Sequence, residues 1–301
     1  MNSAPRRTLS SRAPLSRRRQ ESVAGRGTLP GQSSGDDMTD RVLAGRTALL
    51  TGSVAGLGYA IAESLARAGA NVMLTDLCTP EKGAAAAARL ATTAGVEAAF
   101  HAADLRDVAA IEALVEACGA RFGGVDILVN NAVVRHFKPI EDFAAAEWDA
   151  SLAVNLSGAF HLVRLTLPGM KRRNWGRIVN LSSIFGARGA ANRVDYVTTK
   201  TALLGLTRAV AIETAGQNIT CNAVCPGTVP SEAILGRIAR IAAETGVDVE
   251  QAERDYVAER HPTGRFVTLE GVGALVTFLC GPAGADITGA TLPVDGGWQA
   301  G

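Results

Sequence analysis

The fold is decided by residues 46–76, which read RTALLTGSVAGLGYAIAESLARAGANVMLTD. This segment opens with a short apolar run at 46–51, continues as a helical pattern to about Ala68, and closes on a second apolar run at 71–76. A strand, a helix and a second strand in this order predict a βαβ unit with parallel strands. The glycine-rich turn after the first strand is typical of a backbone that approaches a phosphate closely.

The same alternation continues along the chain. Short apolar strands that alternate with helices predict an α/β fold, here a single-domain, Rossmann-type, doubly wound parallel sheet. Residues 228–266 depart from this rhythm with two amphipathic helices and no strand between them, and we expect a helical substrate lid there because such segments cover the ligand crevice. The further predicted strands are 97–102, 126–130, 176–182 and 219–224, and the predicted helices include 80–94, 108–122, 231–244 and 249–259.

Composition excludes several classes of protein. Of the 301 residues 47% are hydrophobic and 20% are charged, which is typical of a globular chain, and no apolar run approaches the length of a membrane span. Beyond residue 37 the net charge is −3, so neither a nucleic-acid nor a membrane partner is expected. Five cysteines without a CxxC pair predict reduced thiols, a cytoplasmic protein and no metal site.

Residues 1–37 differ from the rest of the chain. They carry seven Arg against three acidic residues and show no apolar periodicity, which predicts a disordered basic extension. It could be a transit peptide, a basic interaction arm, or the product of an in-frame start upstream of Met38. Residues 38–301 are then expected to form the folded domain.

The first turn is a candidate phosphate site. Gly52 and Gly56 can turn tightly beside a pyrophosphate, and Gly58 allows the following helix to pack closely on the strand. The helix N-terminus would offer N–H groups to the phosphates, and Ser53 and Leu57 are included in this predicted site. The alternative is an ordinary turn in a glycine-rich chain.

A carboxylate follows the second predicted strand. Asp76, eighteen positions after Gly58, can accept hydrogen bonds from both ribose hydroxyls of adenosine and would repel a 2′-phosphate, which favours NAD over NADP. Asp104 could similarly reach the adenine amine. The alternative for Asp76 is a solvated aspartate at the end of a strand.

A second group of residues points to acid–base chemistry. Tyr196 and Lys200 are four positions apart, so both side chains project from one helix face. An ammonium beside a phenol stabilises the phenolate and makes it a usable general base near neutral pH. Ser183, at the end of a predicted strand, could bind a substrate oxygen, or it could cap a turn. Asn155 is either functional or a buried structural amide.

In this order the motifs resemble the short-chain dehydrogenase/reductase family over residues of about 42–298. The resemblance implies that Tyr196 exchanges a proton with the substrate oxygen, that Lys200 holds the nicotinamide ribose, and that Ser183 orients the substrate. It also implies that Asn155 holds a water linked to Lys200 and that the protein is a homotetramer. One departure is Val133, where the family usually carries Gly. The resemblance further implies that the cofactor site includes Leu105, Asn131, Ala132, Pro226, Gly227 and Val229, besides Tyr196 and Lys200.

Several segments, among them 139–143, 174–178 and 220–227, more specifically resemble D-3-hydroxybutyrate dehydrogenases. The substrate-contacting positions differ from that pattern and include three arginines, which favour a small anionic substrate unless they lie on solvated faces. These positions are Arg135, Phe185, Arg193, Thr228 and Arg237. We therefore expect an NAD-dependent oxidoreductase that transfers a hydride between nicotinamide and a 3-hydroxybutyrate-like hydroxy acid. The alternatives are a dehydrogenase of another polar alcohol (a sugar acid or cyclic alcohol) and a non-catalytic NAD-binding regulatory protein.

Overall fold

A computed structural model describes residues 41–300, so the predicted extension at residues 1–37 lies outside the described part of the chain. Residues 41–300 form a seven-stranded parallel sheet flanked by helices. The strands are β1 (Thr47–Thr51), β2 (Asn71–Thr75), β3 (Ala98–Phe100), β4 (Ile127–Asn130), β5 (Gly176–Leu181), β6 (Ile219–Pro226) and β7 (Thr291–Val294). The helices are α1 (Gly56–Arg67), α2 (Pro80–Ala94), α3 (Val108–Phe122), α4 (Ala145–Leu152), α5 (Gly158–Arg173), α6 (Val194–Glu213), α7 (Glu232–Thr245), α8 (Val249–Ala258) and α9 (Leu269–Cys280).

The strand order confirms the predicted doubly wound sheet. Neighbouring strands follow the order β3-β2-β1-β4-β5-β6-β7, so the chain winds outward in one direction from β1 and in the other from β4. Loops that leave these two adjacent strands at their carboxyl ends diverge to opposite faces of the sheet. This divergence opens a crevice, which is where such sheets bind their ligands.

Two hydrophobic layers, one on each face of the sheet, hold the structure together. Successive strand residues alternate between the faces: Leu50 packs with the layer that contains α1 and α9, whereas Leu49 packs with the layer that contains α3 and α5. Both leucines are fully buried. Apolar side chains are therefore needed on both faces of the central strands, which explains why these strands show no alternation of apolar and polar residues.

Local signals account for the ends of two helices. α2 begins after Thr79, whose hydroxyl accepts a hydrogen bond from Lys82 N, and ends at Gly95 with φ of 63°. α3 begins after Asp107, whose carboxylate accepts one from Ala109 N, and ends at Gly123 with φ of 82°. Polar N-caps and left-handed glycines are the usual start and stop signals. Both helices have the predicted bounds.

The structure departs from the predicted elements by more than one residue at three strands. β3 is shorter than residues 97–102, β6 continues two residues beyond Val224, and β7 was not predicted. β7 has four residues, includes Pro293 and lies at the edge of the sheet, where proline is tolerated because one side has no partner strand. The two helices predicted within 228–266 are confirmed as α7 and α8.

One stretch of the described chain, Ala145–Arg173, is long and apolar enough to meet the length and composition of a membrane span. It contains a wide, π-helical turn at Ala153–Ser157, and its second half packs on the sheet through the buried residues Leu162, Val163 and Met170. This packing is that of a core helix in a globular domain.

Two glycines inside helices should respond oppositely to alanine. A Cβ at Gly83 in α2 would lie 2.2 Å from the Phe100 ring, whereas a Cβ at Gly119 in α3 would meet no atom within 4 Å. We expect Gly83→Ala to lower the free energy of unfolding by about 1–3 kcal/mol through overpacking. Gly119→Ala should raise it by about 0.5–1 kcal/mol by removing backbone entropy from the unfolded state. Urea denaturation of both variants measures the difference, and an equal response would contradict the packing of α2 on β3.

Candidate active site

A cavity of about 1180 Å³ lies at the carboxyl ends of the strands. Its wall is built from the turn after β1, the residues after β2 and β4, the ends of β5 and β6, the first turns of α6, and the helices α7 and α8. Nineteen predicted residues line it: Gly52, Gly56, Leu57, Gly58, Asp76, Leu105, Asn131, Ala132, Arg135, Ser183, Phe185, Arg193, Tyr196, Lys200, Pro226, Gly227, Thr228, Val229 and Arg237. Ser53, Asp104 and Asn155 lie outside the wall.

The turn after β1 presents bare backbone to the cavity. Gly52 and Gly56 have φ of 59° and 56°, values that L side chains rarely adopt. A Cβ at Gly58 would lie 2.1 Å from the Gly52 carbonyl oxygen, so α1 can start this close to the turn only with glycine there. Asn131 fixes the turn by donating from Nδ2 to the carbonyl oxygens of Thr51 (3.0 Å) and Gly52 (2.8 Å).

The N-terminus of α1 differs from those of several other helices. Side chains cap α2, α3, α7, α8 and α9, but Ala55 at the start of α1 provides none. The first N–H groups of α1 therefore remain available where Ala55, Gly56 and Leu57 line the cavity. Free donors beside a turn without side chains fit the pyrophosphate of a dinucleotide.

Asp76 follows β2 and lines the same end of the cavity. One carboxylate oxygen accepts a hydrogen bond from Val54 N at 3.3 Å and the other accepts one from Leu77 N at 2.9 Å. These contacts hold the carboxylate against the glycine turn. Each oxygen retains a second lone pair, so the group can still accept hydrogen bonds from ribose hydroxyls.

The side chains of two residues predicted to contact the cofactor bind other protein groups. Ser53 is fully buried, and its hydroxyl donates to Leu50 O and accepts from Thr75 N, so it joins β1 to β2. Asp104 forms an ion pair with Arg106 at 2.6 Å, and this hydrogen bonding holds the pKa of Asp104 below its usual value. The structure therefore gives Ser53 a structural role and directs the Asp104 carboxylate to a neighbouring side chain.

Ser183, Tyr196 and Lys200 lie together in the wall. Ser183 ends the segment after β5, and its hydroxyl accepts a hydrogen bond from Phe185 N, so it also caps a short turn. Tyr196 and Lys200 stand one turn apart on α6, with the Lys200 Nζ 5.6 Å from the centre of the Tyr196 ring. A hydroxyl, a phenol and an amine that face one cavity are suited to proton exchange with a bound oxygen.

Lys200 is buried in a position where its positive charge is energetically unfavourable. Its Nζ donates to Leu181 O at 2.6 Å, and the residue is almost fully buried. Burial, followed by the charge of Arg135, lowers the pKa of Lys200 to about 7. An anionic ligand in the cavity would favour the ammonium form.

Asn155 lies outside the cavity wall and links two of the segments that form it. It lies in the π-helical turn Ala153–Ser157, a feature that is frequent at functional sites. Its amide exchanges two hydrogen bonds of 2.7 Å with the backbone of Val134 and donates to Thr199 Oγ1 at 3.2 Å. The side chain thus fixes the segment after β4 against α6, and the role of Asn155 in holding a water linked to Lys200 stays a prediction.

The segment after β4 is fixed to α6 a second time. The buried Asp195 carboxylate accepts hydrogen bonds from Ser151 Oγ (2.8 Å) and from His136 N (3.1 Å), with His136 Nδ1 3.0 Å away. Burial opposes its charge, but these hydrogen bonds hold the pKa of Asp195 below its usual value. Val133, in the same segment, needs no special backbone, since Asn174 and Asn192 are the non-glycine residues with positive φ among residues 41–300.

Aromatic rings surround the predicted substrate arginine. The Arg193 guanidinium lies 4.1 Å from the ring centre of Phe137, 4.6 Å from Tyr196 and 5.5 Å from Phe185. Stacking of this kind orients a guanidinium without neutralising it. Arg193 therefore presents its charge beside the Tyr196 phenol.

Part of the wall consists of residues that were not predicted from the sequence. Phe137, Arg240, Tyr256, Arg260 and Trp298 also line the cavity. The Trp298 ring contacts both Phe185 and His261 with ring centres 5.7 Å apart, and His261 accepts a hydrogen bond from Thr228 N at 2.9 Å. Trp298 lies more than a hundred residues after Phe185, so no local pattern predicts their contact.

The state of Lys200 predicts a pH dependence of stability. The unfolded chain holds this proton up to the ordinary pKa of 10.5, whereas the folded chain releases it near 7. Between these values the unfolded state binds more protons, so the free energy of unfolding rises with pH. We expect the wild type to gain about 1 kcal/mol per pH unit relative to Lys200→Met between pH 7 and 9. Urea denaturation of both proteins without ligand tests this, and a constant difference over that range would contradict it.

Comparison with known proteins identifies the family. The protein-family model described as enoyl-(acyl carrier protein) reductase matches residues 52–299. The D-beta-hydroxybutyrate dehydrogenase of Cupriavidus necator is 42% identical over 86% of this chain and all of its own length. The enzyme of the same name from Rhizobium meliloti is 38% identical over 85% of this chain and 99% of its own.

A solved structure of a related reductase has the same fold. The L-sorbose reductase of Gluconobacter frateurii, solved with NADPH and L-sorbose, superposes with a TM-score of 0.82 at 30% identity, over 86% of this chain and 98% of its own. The nicotinamide cofactor of this family fits the glycine turn and the open N-terminus of α1 described above. The chain therefore belongs to the short-chain dehydrogenase/reductase family, as its motifs predicted, and is an oxidoreductase that uses a nicotinamide cofactor.

Proposed function

We propose that this protein is an NAD-dependent dehydrogenase of a 3-hydroxybutyrate-like hydroxy acid. The observation that carries the proposal is that Arg193 stacks on Tyr196, which joins a carboxylate-binding group to an acid–base group. The two D-beta-hydroxybutyrate dehydrogenases similar to this chain support the same substrate class.

In this mechanism the nicotinamide ring supplies or accepts the hydride when the cofactor is bound. The Tyr196 hydroxyl transfers the proton to or from the substrate oxygen, and Ser183 Oγ donates a hydrogen bond to that oxygen. Arg193 and Arg135 bind the substrate carboxylate and thereby fix the position of the neighbouring carbon. The Lys200 ammonium lies next to Tyr196 and stabilises negative charge on the phenol. It also binds the nicotinamide ribose of the cofactor.

We also propose that α7 and α8 form a substrate lid and that the protein is a homotetramer. α7 and α8 contribute residues to the wall, so they would cover the bound substrate and exclude water. Residues 41–300 contain all the wall residues named, and we propose that the domain of residues 38–301 is sufficient for catalysis. The exposed Phe160 on α5 and Ile212 on α6 are consistent with a homotetramer that pairs these helices.

A second candidate is the oxidation of another polar alcohol, such as a sugar acid. The structural similarity to L-sorbose reductase favours it. Only a neutral member of this class, such as a cyclic alcohol, differs from the hydroxy acid in charge, because an acid needs the arginines and a neutral alcohol does not.

Replacement of Tyr196 tests the mechanism. We expect Tyr196→Phe to lower turnover about 100-fold or more while NAD binding persists, because the proton-transferring hydroxyl is lost. Formation of NADH at 340 nm is measured with D- and L-3-hydroxy acids, sugar acids and neutral alcohols. Tyr59→Phe is the matched control, since the Tyr59 hydroxyl bonds Arg89 outside the cavity wall. Comparable activity of Tyr196→Phe and the control would refute the role of Tyr196, and turnover of sugar acids or alcohols alone would favour the second candidate.

Replacement of Asp76 tests the choice of NAD. We expect Asp76→Ala to raise the ratio of kcat/KM for NADP to that for NAD at least about tenfold, or about 1.4 kcal/mol, because repulsion of the 2′-phosphate is removed. Asp104→Ala should leave this ratio unchanged, since the Asp104 carboxylate bonds Arg106. An equal ratio in Asp76→Ala and the wild type would remove Asp76 from cofactor discrimination.

A further inference from the structure

The cavity wall is far more positive than the protein around it. Six cationic side chains line it, namely Arg135, Arg193, Lys200, Arg237, Arg240 and Arg260, against a single carboxylate, Asp76. Within residues 41–300, Arg135, Arg193, Arg237 and Arg240 form no ion pair with any acidic side chain. Like charges gathered without counter-charges cost free energy, so the wall is built to receive anions.

The five arginines among these cations form two groups. The inner group, Arg135 and Arg193, lies at the reacting end: Arg193 stacks on Tyr196, and the charge of Arg135 acts on both Arg193 and Lys200. The Arg193 Nε is buried without a hydrogen-bond partner among the described residues. A buried N–H of this kind is costly unless an acceptor reaches it, and a substrate carboxylate would supply one.

The outer group belongs to the lid. Arg237 and Arg240 are three positions apart on α7, so they share one face of the helix. Arg260 follows α8, and its guanidinium lies 3.8 Å from the ring centre of Tyr256, with that of Arg237 6.0 Å away on the same ring. Arg260 pairs at 3.0 Å with Glu259, whose side chain is 73% exposed, so this counter-charge lies in solvent.

The two groups belong to different elements of the wall: the inner arginines lie after β4 and at the start of α6, and the outer arginines lie on α7 and after α8. A carboxylate placed beside Tyr196 by the inner arginines leaves Arg237 and Arg240 without an acidic partner, whereas Arg260 already donates to Tyr256 O at 2.6 Å and to Glu259 at 3.0 Å. Lid arginines that bind a second oxyanion would hold α7 and α8 over the substrate only when that anion is present, because each guanidinium–carboxylate pair adds two parallel hydrogen bonds.

We propose that the substrate is a hydroxy or keto dicarboxylate, with one carboxylate at Arg135 and Arg193 beside Tyr196 and the second at Arg237 and Arg260 on the lid. This inference rests on the proposed function, because it specifies the substrate class of the same site.

The experiment compares substrates that differ in one charge. The wild-type full chain is assayed at 340 nm with NAD and 3-hydroxyglutarate, 3-hydroxyadipate, the monomethyl ester of each, and D-3-hydroxybutyrate. We expect kcat/KM for at least one dicarboxylate to exceed that for its monomethyl ester about tenfold or more. A wild type that prefers the monoesters or hydroxybutyrate would overturn this inference and leave the proposed function intact. Absence of turnover with every hydroxy acid would overturn both.

Variants of the lid arginines test where the second carboxylate of the substrate binds. Arg237→Gln and Arg260→Gln should each lower the ratio of dicarboxylate to monoester kcat/KM about tenfold, chiefly through KM. Arg254→Gln is the matched control, because Arg254 bonds Gln251 on α8 away from the cavity wall, and its ratio should equal that of the wild type. A ratio compares two substrates in one preparation, so partial misfolding of a variant does not affect it. Weaker binding of NADH by Arg237→Gln and Arg260→Gln, measured by fluorescence, with an unchanged ratio would assign these arginines to cofactor phosphates and overturn the inference.

Discussion

The site depends on one close approach, that of the start of α1 to the end of β1. At Gly58 the backbone of the helix lies so near the Gly52 carbonyl that a Cβ would overlap it. This contact directs the first N–H groups of α1 into the crevice between β1 and β4. Asn131 secures the turn from the neighbouring strand through two hydrogen bonds. The remaining walls are placed around this corner by the parallel sheet.

A second constraint is the distribution of charge. The folded domain has a small negative net charge, yet its cavity gathers five arginines and a buried lysine. Burial and Arg135 together lower the pKa of Lys200 to about 7, so the protein without ligand stores unfavourable electrostatic free energy there. Binding of an anionic ligand lowers this electrostatic free energy. Substrate binding is therefore linked to the charge state of Lys200. Stacking on three aromatic rings keeps Arg193 oriented meanwhile.

Some parts of the fold and of the candidate site could be predicted from the sequence and others could not. The bounds of α2 and α3 were predicted because Thr79, Asp107, Gly95 and Gly123 are local signals within a few residues of each end. β7 was missed because Thr291–Val294 is short and half-exposed and becomes a strand only by pairing with β6. Ser53 was expected at the cofactor because it lies in the glycine turn, but its side chain turns inward to join two strands.

The sequence by itself determined the βαβ order, the doubly wound sheet, the glycine turn and the Tyr196–Lys200 pair, because each depends on residues close together in the chain. Only the tertiary structure decided which arginines share the cavity, that Asp104 turns to Arg106, and that Trp298 meets Phe185. These contacts join segments separated by more than a hundred residues or depend on the rotamer that packing permits. Their geometry follows from how α6, α7, α8 and the C-terminal residues pack on the sheet, which no local pattern of residues encodes.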